Sequence, residues 1–117
     1  MLSFAGSLRV FVAIDPCDMR KGFDGLQALV TERLRESATS GALFAFTNRR
    51  HNRLKILFWD RTGLWVCTKH LEKGTFSWPD PDPSGPTKLS LTPEALAMLT
   101  DGVDLHGARL RPWYQRD

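Results

Sequence analysis

The feature that most constrains the fold is a series of short apolar segments separated by turns, which occupies residues 48–79. Segments 54–59 and 64–71 have strand length, and Asp60-Arg61-Thr62-Gly63 lies between them. Asp at the first position and Gly at the fourth are typical of a type I turn. Because such short connections join only antiparallel neighbours, this stretch predicts an antiparallel meander.

The flanking segments add further strands and two helices. Residues 8–14 and 42–47 are rich in apolar and β-branched residues and predict two strands. Between them, apolar residues recur at helical spacing and predict a helix over 23–36. Thr92 has the character of an N-cap, with Pro93 at the first helical position, so a second helix is expected over 93–101.

We therefore predict an α+β domain: a small antiparallel meander of about five strands packed against the main helix, with the C-terminal helix alongside. Residues 75–78 are the expected fifth strand, and residues 88–91 form a last edge strand. Gly25 would permit close packing of the main helix against the sheet. The expected core between this helix and the sheet consists of Leu26, Leu29, Phe44, Phe46 and Ile56.

Length and composition indicate one domain spanning residues 1–117. Four prolines within residues 79–86 predict a Pro-rich loop over 79–87, and a basic tail follows over 106–117. No apolar run approaches the roughly 20 residues that span a bilayer, and the N-terminus lacks the features of a signal peptide. We expect a cytoplasmic protein with no membrane partner, whose cysteines Cys17 and Cys67 are unpaired.

Catalytic and metal-binding patterns are weak. Asp15, Asp18 and Asp24 are grouped, but Arg20 and Lys21 are interleaved with them and would form ion pairs. The three histidines show no metal-ligand spacing, and no glycine-rich phosphate loop is present. The sequence predicts a protein without catalytic residues, metal or cofactor, and a metal-dependent nuclease remains a third alternative.

Basic residues concentrate in and around the turns of the meander. Residues 49–73 contain seven basic residues and two acidic ones, although the net charge of the whole chain is only +3. Residues 48–52 are the expected loop of a basic hairpin between two of the strands. Clustered Arg on a small sheet suits phosphate binding, but solvated charge that keeps a hairpin edge from aggregating explains this loop equally well. The candidate nucleic-acid-binding residues are Arg20, Lys21, Arg49, Arg50, His51, Arg53, Lys55, Arg61, Lys69 and Lys73.

The four tryptophans also allow more than one role. Trp59, Trp65, Trp78 and Trp113 can cover the core of a thin domain. Any that remain exposed can stack on unpaired bases or bind a partner protein. The sequence leaves these alternatives open.

Several motifs, in order and at matching spacing over residues 8–105, together resemble one protein family. Residues 18–26 read DMRKGFDGL, residues 40–46 read SGALFAF, and residues 48–60 begin NRR and end LKILFWD. The closing motif begins at Leu91-Thr92 and continues to Val103-Asp104. The chain resembles the TnpB-type accessory proteins, the second-reading-frame products of bacterial insertion elements of the insertion-sequence-66 family.

The resemblance implies a role in transposition beside a separate, larger transposase, and it brings no catalytic residues. We expect a non-catalytic accessory protein that binds DNA, at element ends or at the target, through the basic hairpin. The alternative is an adaptor that docks the transposase without contacting DNA. The sequence does not indicate an oligomeric state.

Overall fold

The computed structural model describes residues 8–101, which form one five-stranded mixed sheet and two helices. In chain order the elements are β1 (Val10–Ala13), α1 (Phe23–Glu32), β2 (Leu43–Thr47), β3 (Arg53–Trp59), β4 (Leu64–His70), β5 (Lys88–Leu91) and α2 (Pro93–Thr100). The strands lie side by side in the order β4-β3-β2-β1-β5. This arrangement confirms the α+β class, and β2, β3 and β4 form the expected antiparallel meander.

The sheet is not antiparallel throughout, because β1 and β2 pair in parallel with Phe11 opposite Phe44. A parallel pair needs a crossover connection, and α1 provides it. The carboxyl ends of β1 and β2 consequently lie at the same end of the sheet. The connector that follows β1 and the hairpin loop that follows β2 are therefore brought together.

The two helices cover opposite faces of the sheet. Leu26 and Val30 of α1 pack with Phe44 and Phe46, as predicted for the main helix. The expectation that α2 lies alongside α1 is wrong, because the buried residues of α2 belong to a second core cluster on the other face. That cluster contains Val10, Val12, Leu54, Phe58, Leu91, Ala95, Leu96 and Leu99. Strand β1 supplies alternate residues to both clusters, so all its positions are buried.

Two predicted core positions differ from expectation. The register pairs Phe44 with Leu57, so Leu57 faces α1 and Ile56 points to the opposite face, where it is half-buried. Leu29 lies at the margin of the α1 cluster and is also half-buried.

Residues 75–78 do not form the predicted fifth strand. Phe76 and Trp78 are nevertheless buried in the α2 cluster. The backbone N–H of Phe76 donates to the carbonyl of His51 at 2.6 Å, and the indole Nε1 of Trp78 donates to the carbonyl of Ala13 at 2.9 Å. The fifth strand is instead β5, which pairs antiparallel with β1 as an edge strand. Residues 79–87 contain no helix or strand, as their prolines predict.

The element boundaries follow from local hydrogen bonds and backbone geometry. Helix α1 ends at Glu32, four residues earlier than predicted, and Arg35 then adopts a φ of 57°. The predicted N-cap of α2 is confirmed, because Thr92 Oγ1 accepts from the N–H of Ala95 at 3.0 Å. The turn after β3 is not type I, since Arg61 has a φ of 87° and occupies its first central position. A positive φ at that position is the mark of the primed turns that join twisted hairpin strands.

The basic tail 106–117 and Trp113 lie outside the described residues. Between residues 8 and 101, no helix has the length and apolar character needed to cross a bilayer.

Candidate nucleic-acid interface

The connector after β1 and the β2–β3 loop meet at one end of the sheet. The backbone N–H of Cys17 donates to the carbonyl of Thr47 at 2.8 Å, which joins the connector to the end of β2. These two segments line an open depression of about 600 Å³. Its lining residues are Pro16, Cys17, Asp18, Met19, Arg20, Asn48, Arg49, Arg50 and Arg53.

Four exposed arginines surround this depression, and we call Arg20, Arg49, Arg50 and Arg53 the arginine surface. They come from two segments about 30 positions apart in the chain. A guanidinium group presents five donors in a planar fork and matches the geometry of phosphate oxygens. The depression is open to solvent, so it suits a polyanionic backbone lying across it.

The hairpin loop is held by its own side chains. Asn48 Oδ1 accepts from the backbone N–H groups of Asn52 at 3.0 Å and Arg53 at 3.1 Å. Asn48 Nδ2 also donates to Asn52 Oδ1 at 2.7 Å. Thr47 Oγ1 donates to the carbonyl of Arg53 at 3.0 Å, across the base of the loop. Arg49 and Arg50 are therefore projected from an ordered support, so little loop entropy would be lost when they bind.

Asp18 is the acidic residue in the lining. Its carboxylate accepts from Arg20 Nη2 at 2.7 Å and from Arg20 Nε at 3.1 Å, and Oδ1 accepts from the Arg20 N–H at 2.8 Å. These hydrogen bonds lower the pKa of the Asp18 carboxyl to about 2. The Arg20 side chain remains 91% exposed despite the contact. A phosphate that binds Arg20 must therefore compete with an exposed internal carboxylate.

Lys55 and Lys21 connect the two segments rather than pointing into the depression. Lys55 Nζ donates to the carbonyl of Lys21 at 2.7 Å. The stem of Lys21 covers Gly25, where a Cβ would lie 3.1 Å from the Lys21 Cβ. Gly25 thus makes room for Lys21 and not, as predicted, for the sheet. Lys21 also lines a neighbouring cavity of about 290 Å³ that shares Pro16 and Cys17 with the depression.

The remaining predicted residues are more dispersed. His51 is half-buried, with its ring centroid 6.4 Å from that of Trp78. Lys69 Nζ donates to the Thr100 carbonyl at 2.7 Å and so binds the C-terminal end of α2. Lys73 is exposed beyond β4, at the same end of the sheet as the arginine surface. Arg61 lies in the β3–β4 turn at the opposite end.

Sequence reasoning missed the contribution of Asn48 and Asn52. Their signal was available, because Asn commonly bonds its own turn backbone and two asparagines flank this loop. The third side chain that holds this loop is Thr47. It could not be identified from the sequence, because its hydrogen bond to the Arg53 carbonyl depends on the strand register.

Comparison with known proteins identifies the family of the chain. The family model described as IS66 Orf2-like protein matches residues 8–109. The chain belongs to the IS66 Orf2-like family. This confirms the resemblance found in the sequence motifs.

Two relatives of this IS66 Orf2-like protein come from Sinorhizobium fredii (strain NBRC 101917 / NGR234). The uncharacterized protein y4jC is 35% identical over 112 residues, which cover 96% of this chain and 93% of the relative. The uncharacterized protein y4hO is 34% identical over 104 residues, covering 89% of this chain and 88% of the relative. No solved structure matches the chain.

The arginine surface of this IS66 Orf2-like protein draws on two of the motifs that carry the resemblance. Arg20 lies in the DMRKGFDGL segment, and Arg49 and Arg50 lie in the NRR segment. The parallel β1–β2 pairing brings these motifs together. Two stretches that are separate in sequence thus form one surface.

The ion pairs predicted from the interleaved charges form only in part. Arg20 binds Asp18 as expected, but the partner of Asp15 is Arg33, whose Nη2 lies 3.0 Å from Asp15 Oδ2, and not Arg20 or Lys21. Among residues 8–101, no group of three or more His, Cys, Asp or Glu side chains is arranged to hold a metal ion. Cys17 and Cys67 are unpaired thiols, and burial raises the pKa of the Cys17 thiol.

Proposed function

We propose that this protein is a non-catalytic accessory protein of transposition that binds DNA through the arginine surface. The observation that carries the proposal is the convergence of four exposed arginines, from two motif segments, around one open depression. Membership of the IS66 Orf2-like family supports the transposition role.

The chemistry of the arginine surface favours contacts to the DNA backbone. Arginine forks bind phosphate oxygens in duplexes of any sequence, so these contacts supply affinity and register but little base preference. Lys73 is exposed at the same end of the sheet and adds positive potential there. We therefore expect weakly sequence-specific binding that falls steeply with salt.

The test is duplex binding measured over a range of salt concentrations. Four phosphate contacts predict a slope of log affinity against log salt near −3.6, since each releases roughly 0.9 counterion. Replacing Arg49 and Arg50 with Ala should reduce the magnitude of that slope by about 2 and weaken all duplex sequences alike.

The matched control is the double variant Arg9→Ala/Arg61→Ala. It removes the same charge from two exposed positions at the other end of the sheet, just before β1 and in the β3–β4 turn. The control should keep the wild-type slope. Equal slopes and affinities for wild type and the Arg49/Arg50 variant would reject DNA binding through this surface.

A protein adaptor is the second candidate, with the transposase of the same element as its partner. Two large apolar side chains are exposed among the described residues, Phe23 at 51% and Trp65 at 45%. Exposed aromatic residues are frequent anchors of protein interfaces. Capture of the purified transposase that is lost in Phe23→Ala or Trp65→Ala, at unchanged DNA binding, would support the adaptor role.

The proposed absence of catalysis has a direct test. Purified protein with Mg²⁺ or Mn²⁺ should leave supercoiled and linear DNA intact. Metal-dependent cleavage that disappears in Asp18→Ala or Asp24→Ala, with the melting temperature unchanged, would instead establish the nuclease alternative.

A further inference from the structure

Strand β4 forms one edge of the sheet. It pairs with β3 on one side, and among residues 8–101 no strand pairs with its other side. Its seven residues contain neither Pro nor Gly. Its pairing with β3 has no bulge between the first pair, Arg53 with His70, and the last pair, Trp59 with Leu64. Proteins commonly protect an edge with such interruptions. A long regular edge is a template for another strand.

The hydrogen bonds at the two ends of the β3–β4 ladder show which backbone groups point outward. Leu71 N–H donates to Asn52 O at 3.0 Å, and Asp60 N–H donates to Gly63 O at 3.1 Å. Hydrogen-bonded pairs alternate along an antiparallel ladder. Odd-numbered residues of β4 therefore bond to β3. The outward N–H and C=O groups belong to Leu64, Val66, Thr68 and His70.

Strand β4 is complementary to itself in one register. If a second copy of β4 runs antiparallel to the first with Cys67 at the centre, all seven residues overlap. Leu64 then pairs with His70 of the copy and Val66 with Thr68 of the copy, so the outward-pointing backbone groups lie opposite each other. Trp65 then lies opposite Lys69 of the copy, on the face of α2, so an aromatic ring faces the stem of a lysine whose Nζ binds Thr100 of its own chain, and like charges do not meet. Cys67, which is exposed, lies opposite its own counterpart.

We propose that β4 is a self-association edge, which pairs with β4 of a second copy across a two-fold axis at Cys67. The joint sheet has ten strands, five from each copy. The interface consists of one strand pair and is small, so association depends on protein concentration. The proposal rests on the edge alone and does not require that the arginine surface binds DNA.

The register makes a specific chemical prediction. Cys67 and its counterpart form a non-hydrogen-bonded pair with a Cα separation of about 4.5 Å, within the roughly 4.4–6.8 Å that a disulfide spans. Diamide should therefore join the two thiols: the S–S bond forms as both S–H bonds break, and diamide is reduced to the hydrazine by two electrons and two protons. We expect a covalent dimer from wild type and Cys17→Ser, and none from Cys67→Ser.

Two variants test the non-covalent dimer by sedimentation over a concentration series. Cys67→Arg places two guanidinium groups opposite each other and should weaken association more than about tenfold, while Cys67→Ser keeps it. Thr68→Pro removes an outward N–H and should also weaken association, while Thr68→Val keeps that N–H and the dimer. Circular dichroism melts show which variants fold. If Thr68→Pro does not fold, Cys67→Arg alone tests the dimer.

The outcomes are distinct. Concentration-dependent dimers that are lost in Cys67→Arg and crosslink only through Cys67 support the proposal. A monomer at all concentrations, or a dimer indifferent to Cys67→Arg and Thr68→Pro, overturns it. Protection of Cys67 from alkylation by the transposase, with no self-association, also overturns it and assigns the edge to that partner.

Discussion

The Nζ of Lys55 lies 2.7 Å from the backbone carbonyl oxygen of Lys21, although the two residues are 34 positions apart. The contact joins β3 to the connector that precedes α1. Together with the Cys17–Thr47 backbone bond, it holds the two halves of the arginine surface in one arrangement.

Removing this contact should loosen the connector. We expect Lys55→Met to lower the free energy of unfolding by about 1 kcal/mol, because hydrogen bonds to charged groups contribute about 1.5–3 kcal/mol and this one is partly exposed. Urea denaturation measures the change. Lys73→Met is the control, since Lys73 is exposed and makes no hydrogen bond or ion pair with residues 8–101. A loss no larger than that of the control would show that Lys55 is dispensable.

The core under α1 predicts a contrast between two leucines. Leu26→Ala should cost about 2–5 kcal/mol, because Leu26 is fully buried between α1 and the sheet. Leu29→Ala should cost clearly less, because Leu29 is half-buried at the margin. Thermal or urea melts of the two variants provide the comparison, and equal losses would contradict the observed helix face.

Asp18 should oppose DNA binding by occupying Arg20. We expect Asp18→Asn to increase duplex affinity while the salt slope stays near −3.6, because Arg20 is already one of the four phosphate contacts and only loses a competing carboxylate. The pKa of Asp18 is about 2, so the carboxylate stays ionised and the effect should be the same at pH 5 and pH 8. Asp82→Asn removes an exposed carboxylate elsewhere and is the matched control. If both variants strengthen binding equally, net charge and not Arg20 is responsible.

Asp60 should contribute to acid sensitivity. Its Oδ2 accepts from the Trp65 indole at 2.7 Å, and Oδ1 accepts from the N–H groups of Thr62 and Gly63. These bonds hold the pKa of the Asp60 carboxyl well below its usual value. The stabilisation is present above the unfolded pKa of about 3.9 and is lost as the pH falls through the folded pKa.

Urea midpoints at pH 6, 4 and 3 test this dependence. The urea midpoint of wild type should fall between pH 6 and pH 3. The midpoint of Asp60→Asn should be lower than that of wild type at pH 6 and should fall less on acidification. The control is Asp80→Asn, an exposed aspartate in the Pro-rich loop. A parallel acid response in wild type and Asp60→Asn would reject the assignment.

Local sequence patterns predicted most elements of this fold because their signals are short-range. The spacing of Leu26 and Val30 predicted α1, and Thr92-Pro93 predicted the start of α2. The local patterns wrongly predicted a strand over 75–78. Phe76 and Trp78 alternate there as in a strand, but they pack in the α2 cluster without a strand partner. The local patterns also misjudged Arg61, whose positive φ follows from the twist of the strands that it joins.

For the candidate interface, the sequence by itself determined the chemistry: clustered arginines, an Asn-flanked loop, and an aspartate two residues before Arg20. The tertiary structure decided which of these groups meet. The parallel pairing of β1 with β2 brought Arg20 to Arg49 and Arg50, while the register directed Lys69 to α2 and left Arg61 at the far end. Such long-range pairing depends on the burial of both sheet faces at once, and no local pattern encodes it.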